Sequence, residues 1–155
     1  MDRQTFLARV GEYHKEGRRL ALINVTTVIP VAAPGHGAPA AAEAPAAEAA
    51  PVPDTFEITW VFENDKDASL EKIREIVSPA DAVPSISEFF GAAFLYENEM
   101  RELFGIKVEG INLDLQGQLY KTATKVPFSH AAVKARLEAT QAAAAAKAAA
   151  PVKNS

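Results

Sequence analysis

Nine residues, TFEITWVFE (55–63), limit what this chain can become more than any other stretch. Phe56, Ile58, Trp60 and Phe62 fall on one side of an extended chain, and Thr55, Glu57, Thr59, Val61 and Glu63 on the other. Such period-two alternation describes a strand with one face on a core and the other largely in water, the habit of an antiparallel sheet covered on one side. RRLALINVTTVI (18–29), rich in β-branched residues, reads as a partner strand. Residues 2–16 read as a helix: Asp2 stands at the N-cap, Phe6, Val10 and Tyr13 recur at i, i+4 and i+7, and Gly17 suits the position just past the end.

A second constraint comes from residues 85–105, SISEFFGAAFLYENEMRELFG. Ser85 and Glu88 form an S-x-x-E capping-box pattern after Pro84, and Gly105 supplies a left-handed terminus. Between them Phe89, Ala93, Tyr96, Met100 and Leu103 make a continuous apolar stripe, so the pattern predicts one central helix over 85–105. At 100° per residue Glu97 and Arg101 share one flank, four residues apart, in the order that favours an ion pair. Glu99 and Glu102 fall on the opposite flank, so the carboxylates do not converge as a paired acid–base or metal site requires. These charges read either as a solvated helix edge or as an interface. Phe90, Phe94 and Phe104, beyond what one stripe needs, favour a helix buried on more than one side, one of them against another subunit.

SLEKIREIVS (69–78) is ambiguous, since Leu70, Ile73 and Val77 fit a helical face while the interleaved Glu71 and Glu75 fit a strand poorly. Between the first two strands lies PVAAPGHGAPAAAEAPAAEAAPVPD (30–54), in which alanine and proline dominate and no hydrophobic period survives, as in a loop insertion dispensable for folding. From His130 to Ser155 the chain is Ala-rich, with high helix propensity but few bulky apolar residues beyond Val133 and Leu137, as in an exposed helix. The domain division expected is therefore 1–129, carrying the 30–54 insertion, followed by a 130–155 extension.

Composition narrows the function. The 155 residues contain no cysteine, which removes disulfides, iron–sulfur ligation and thiolate zinc sites, and three scattered histidines offer no cluster. A net charge of −4 argues against a nucleic-acid backbone partner. The charged N-terminus lacks the apolar core of a signal peptide, and no apolar run reaches the roughly 20 residues of a membrane span. The expectation is a cytoplasmic chain without cofactor or metal.

YENEMRELFGIKVEG (96–110) resembles the signature of the thirty-kilodalton subunit family of respiratory complex I, whose pattern runs E-R-E-x-x-D/E-L/M-F/Y-G-I. Glu97, Glu99, Glu102, Phe104, Gly105 and Ile106 match it, and AVPSISEFFGAAFLYENE resembles the family's V-P-S-I-T lead-in to the same helix. Asn98 stands where the family usually has Arg, and the H-P-x-L-R-R stretch of the respiratory branch is missing. Instead GINLDLQGQLYKTATKVPFS (110–129) looks like the corresponding small subunit of the Ech-type energy-converting nickel–iron hydrogenases. The resemblance spans residues 18–29 and 55–129, and it implies a third strand over 69–77. The fold implied is α+β: a small antiparallel sheet of three to four strands with an N-terminal helix and the central helix.

The function implied is a cofactor-free accessory subunit, not catalytic by itself, in the peripheral arm on the cytoplasmic face of the membrane. It would pack on the large catalytic subunit and neighbouring iron–sulfur subunits of a membrane-bound hydrogenase coupling ferredoxin-linked hydrogen metabolism to ion translocation. It would touch the membrane only through those partners. Glu97, Glu99, Arg101, Glu102, Phe104 and Gly105 would form the interface. The alternatives are the thirty-kilodalton subunit of a complex-I-like NADH:quinone oxidoreductase, a free-standing assembly factor, and an independent enzyme using Glu97 or Glu99 as general acid or base. The last is disfavoured by the divergent flanks and the lack of a nucleophile or phosphate loop.

Overall fold

The computed structural model describes residues 2–29 and 54–148, with side chains through 144. Helix α1, Arg3–Lys15, starts as expected: the Asp2 carboxylate accepts from the backbone N–H of Gln4 at 2.9 Å and of Thr5 at 3.1 Å. Phe6, Val10 and Tyr13 are its buried face, and Gly17 ends it at φ 74°.

Strands β1 (Arg18–Val28), β2 (Thr55–Asn64) and β3 (Leu70–Val77) form an antiparallel sheet in that order. The register puts Ile23, Trp60 and Ile73 in one row across the inner face, each under 9% exposed, because directly opposed residues in adjacent strands share a face. Phe56, Ile58 and Phe62 extend that surface along β2, and α1 lies over it, with Phe6 4.8 Å from Trp60 and Tyr13 4.9 Å from Phe62 between ring centroids. The segment that could have been helix or strand is β3: Ile73 is buried, while Leu70 and Ile76 face outward at 55% and 67% exposure. The Ala/Pro-rich insertion lies outside the described residues except for Asp54, as does the end of the chain after 148.

The antiparallel sheet has three strands, and two further short strands pair separately. β4 (Ala82–Pro84) and β5 (Lys107–Glu109) run parallel, with Val83 opposite Val108, and Ser85 N–H extends the ladder to the Glu109 carbonyl at 2.8 Å. Between them runs the central helix, shorter than the pattern predicts. Residues 86–90 make a single turn on the Ile86 carbonyl, and regular α2 begins only at Ala93, running to Glu99 before widening into a π-helical turn, Met100–Phe104. The capping box does not form. Ser85 is held by β5, its hydroxyl accepts from Ser87 N–H and donates to Glu97 rather than joining Glu88 in a reciprocal pair, and Glu88 is exposed.

The terminus is as expected. Gly105 adopts φ 78° and Ile106 folds back, its N–H donating to the Met100 carbonyl at 3.2 Å and its side chain only 2% exposed. Glycine is required here twice over, because a Cβ would also stand 2.9 Å from Val126 Cγ1. Met100, Leu103 and Ala93 carry the buried stripe, joined by Phe90, while Phe89 and Tyr96 are only partly covered. The last element, α3 (His130–Ala148), is anchored at its start and otherwise exposed over its described side chains. His130 donates a ring N–H to the Thr55 carbonyl at 2.8 Å and lies 4.5 Å from Phe56, and Lys134 grips both oxygens of Asp54 at 2.6 and 2.9 Å. Among the described residues no helix is long and apolar enough to cross a membrane.

Candidate functional site

The polar side chains of α2 and its π turn do not splay into solvent as the helical wheel predicts. Four of them turn to the chain's own loops, and three of these, Asn98, Arg101 and Glu102, fasten the irregular segment 110–129 over the helix.

Glu97 faces inward and is 3% exposed. One oxygen accepts from Ile86 N–H at 2.7 Å and the other from the Ser85 hydroxyl at 2.7 Å. The expected Glu97–Arg101 pair is therefore absent: an exposed pair on a helix is worth only about 0.2–0.5 kcal/mol, less than two shielded hydrogen bonds to a carboxylate. Arg101 instead pairs with Asp114 at 2.7 Å, and that guanidinium together with Gln116 N–H holds the Asp114 carboxyl below its ordinary range. Glu102, expected to be wet, is partly buried; its two oxygens accept from Leu119 N–H and Tyr120 N–H, each at 2.9 Å.

Between these lies Asn98, 1% exposed. Its amide nitrogen donates to the Phe94 carbonyl at 2.7 Å and the Leu113 carbonyl at 2.8 Å, and its oxygen accepts from Leu115 N–H at 2.9 Å. Ser87 completes the set: its hydroxyl accepts from Asn112 N–H at 3.0 Å, and its carbonyl from the Asn112 side chain at 2.9 Å. Further on, Phe128 N–H donates to the Leu103 carbonyl at 2.8 Å and Thr27 donates to the Phe128 carbonyl at 2.6 Å. Val126 is held at φ 49° against Gly105, a conformation β-branched residues avoid, and Ser129 N–H braces it at 3.1 Å through the Val126 carbonyl.

The result is a fixed, irregular surface. Leu113, Tyr120 and Phe128 stand out of it at 52%, 44% and 37% exposure, beside Leu95 of α2 at 46%. Glu99 and Phe104 are partly buried at its margin and Gly105 is exposed. Of the six residues singled out in the sequence, then, Glu97 and Glu102 have both carboxylate oxygens engaged within the chain, Arg101 is tied to Asp114, and Glu99 remains without a hydrogen bond or ion pair among the described residues. Sequence reasoning missed Ser87, Asn112 and Asp114, and read Ser85 as a helix cap rather than as a partner of Glu97. Its one available signal was Asn98, a short amide where a long cation is usual. No group of three or more acidic or imidazole side chains is placed to hold a metal among the described residues.

The buried carboxylate of Glu97 makes the site sensitive to pH. Burial pushes it above its ordinary value, with the Ser85 hydroxyl and Ile86 N–H opposing that shift. A raised native pKa means that, from about 4.5 upward, the native state holds a proton the unfolded chain has lost, so stability falls as pH rises through that window. Glu97→Gln keeps an acceptor for Ile86 N–H and a donor toward Ser85, and it cannot ionise. Urea melts of both proteins from pH 4.5 to 7 are expected to show the variant gaining on the wild type as pH rises. Parallel curves would mean that Glu97 ionises in the fold at no cost.

No curated protein compared with the chain matches it. The family model described as respiratory-chain NADH dehydrogenase, 30 Kd subunit, matches residues 13–131, from the end of α1 through the helix and the segment folded over it to the first two residues of α3. The match covers most of the chain, so this protein belongs to that family of oxidoreductase-complex subunits, whose setting is a multi-subunit respiratory complex with protein partners.

Proposed function

We propose that this chain is a non-catalytic accessory subunit of a membrane-bound, energy-converting nickel–iron hydrogenase, seated on the large catalytic subunit in the cytoplasmic arm. The observation that carries the reading is the fastening of 110–129, the segment that looks like the hydrogenase branch, onto the helix that bears the family signature. Asn98 is the link, since it replaces the usual Arg and spends every hydrogen bond it has on that segment and its own helix. Leu113, Tyr120, Phe128 and Leu95 supply the apolar contact, and Glu99, Arg101, Phe104 and Gly105 its rim. Glu97 and Glu102 serve the interface indirectly, by holding the loops that form it. Residues 1–129 act as the working unit and 130–155 as an extension.

The second reading is the thirty-kilodalton subunit of an NADH:quinone oxidoreductase, favoured by the name of the matching family. Affinity purification of the tagged chain from native membranes separates the two. The expected result is a stable complex whose large subunit contains nickel and which reduces dye with hydrogen. A nickel-free complex oxidising NADH with quinone would replace the first reading by the second, and a chain released from the mature complex would be an assembly factor.

A further inference from the structure

Glu99 differs from every other charged side chain of the helix. Glu97 and Glu102 each accept two hydrogen bonds and Arg101 has Asp114, but Glu99 has no donor among the described residues although it is partly buried. It opens into a cleft of about 100 Å³ against the β1 side of the sheet, walled by Ile23, Val25, Tyr96 and Phe104. That is well below the roughly 300–1,000 Å³ of small-molecule pockets, and fits a side chain better than a ligand. Asn24, the other polar group there, uses its amide on Thr26, leaving its carbonyl oxygen directed to no donor among the described residues. A carboxylate with no donor of its own, opening into a cleft whose other walls are apolar and aromatic, makes the cleft complementary to a cation. The aromatic walls choose among cations: a guanidinium is planar, weakly hydrated and stacks on rings, whereas an ammonium keeps its water.

We propose that this cleft receives one arginine side chain of the adjoining subunit, its guanidinium paired with Glu99 and stacked on Tyr96 or Phe104. The inference rests on the reading of the chain as a subunit and specifies what the partner brings.

The test uses the complex purified through a tag on the chain, with Glu99→Gln and Glu99→Lys. Glu88→Lys, an exposed site in the same region, serves as the control. Glu99→Lys is expected to lower the recovered large subunit at least tenfold, and Glu99→Gln to release it at lower salt than wild type. Both free chains should melt at the wild-type temperature, because Glu99 bonds to nothing within the described chain. Carbodiimide, which joins carboxylates to amines but not to guanidinium groups, should give no Glu99 cross-link. Recovery equal to that of Glu88→Lys, a melting temperature lowered in the free Glu99→Gln chain, or a Glu99–lysine cross-link would each overturn the assignment while leaving the subunit reading intact. Failure of the wild-type chain to recover any large subunit would instead remove that reading and this inference with it.

Discussion

Met100→Asp is expected to unfold the isolated chain at neutral pH. Met100 is 2% exposed at the start of the π turn, inside the cluster that joins the helix to the sheet. The side chains of that cluster are hydrophobic, so a carboxylate there would be buried among groups that offer it no compensating charge. Uncompensated buried charges cost about 3–5 kcal/mol, a large part of the roughly 5–15 kcal/mol that holds a domain of this size. Met100→Leu, which conserves volume and polarity, should lose less than about 1.5 kcal/mol. Circular dichroism of both variants distinguishes a buried-charge effect from a general intolerance at the site. A folded, wild-type-stable Asp variant would mean that the stripe of α2 does not face the core.

The second large effect is expected at Asn98. Asn98→Ala removes three hydrogen bonds and leaves the Leu113 carbonyl and Leu115 N–H without their partner. At about 1 kcal/mol for a bond lost and 1–3 kcal/mol for a buried group left unsatisfied, the expected loss is about 2–4 kcal/mol. This corresponds to roughly 10–20 °C in melting temperature for a domain near 100 residues. The damage should be local first: amides 112–116 are expected to exchange faster while those of β2 keep their protection until global unfolding. Asn98→Arg, the residue usual in the family pattern, should be no better, because its bulk and charge would enter a position 1% exposed. Uniform loss of protection across the chain would contradict a role confined to the loop.

What the sequence could disclose followed the range of the forces. The Asp2 cap and the α1 stripe are settled within one or two turns, and the alternation of β2 within one strand, so both were legible. The pattern of β3 was ambiguous, and the strand came from the resemblance. A strand at the margin of the sheet can point Glu71 and Glu75 past the core on the same side as the buried Ile73, which blurs the alternation that identifies strands. The early helix start failed for a tertiary reason: Ser85 has the right side chain for a cap, but β5 and Glu97 claim it from 24 and 12 residues away. Strands of three residues, such as β4 and β5, are too short for periodicity to register. The segment 110–129 has no period at all, since its shape is imposed from outside by the carboxylates and amide of the helix. The glutamates could be picked out from sequence, but the direction each faces depends on donors elsewhere in the chain.

If the helix over 93–104 and the segment it holds form the face that meets the rest of the complex, assembly must slow exchange there and, on the sheet, only where β1 borders the Glu99 cleft. Hydrogen exchange of the free chain and of the same chain within the purified complex measures this most directly. New protection is expected over residues 95–106 and 112–128 and at residues 23–25 of β1, which line the Glu99 cleft, with the amides of β2 and β3 unchanged. Protection gained along β3 and the outer face of the sheet, with 95–128 exchanging as in the free chain, would contradict it.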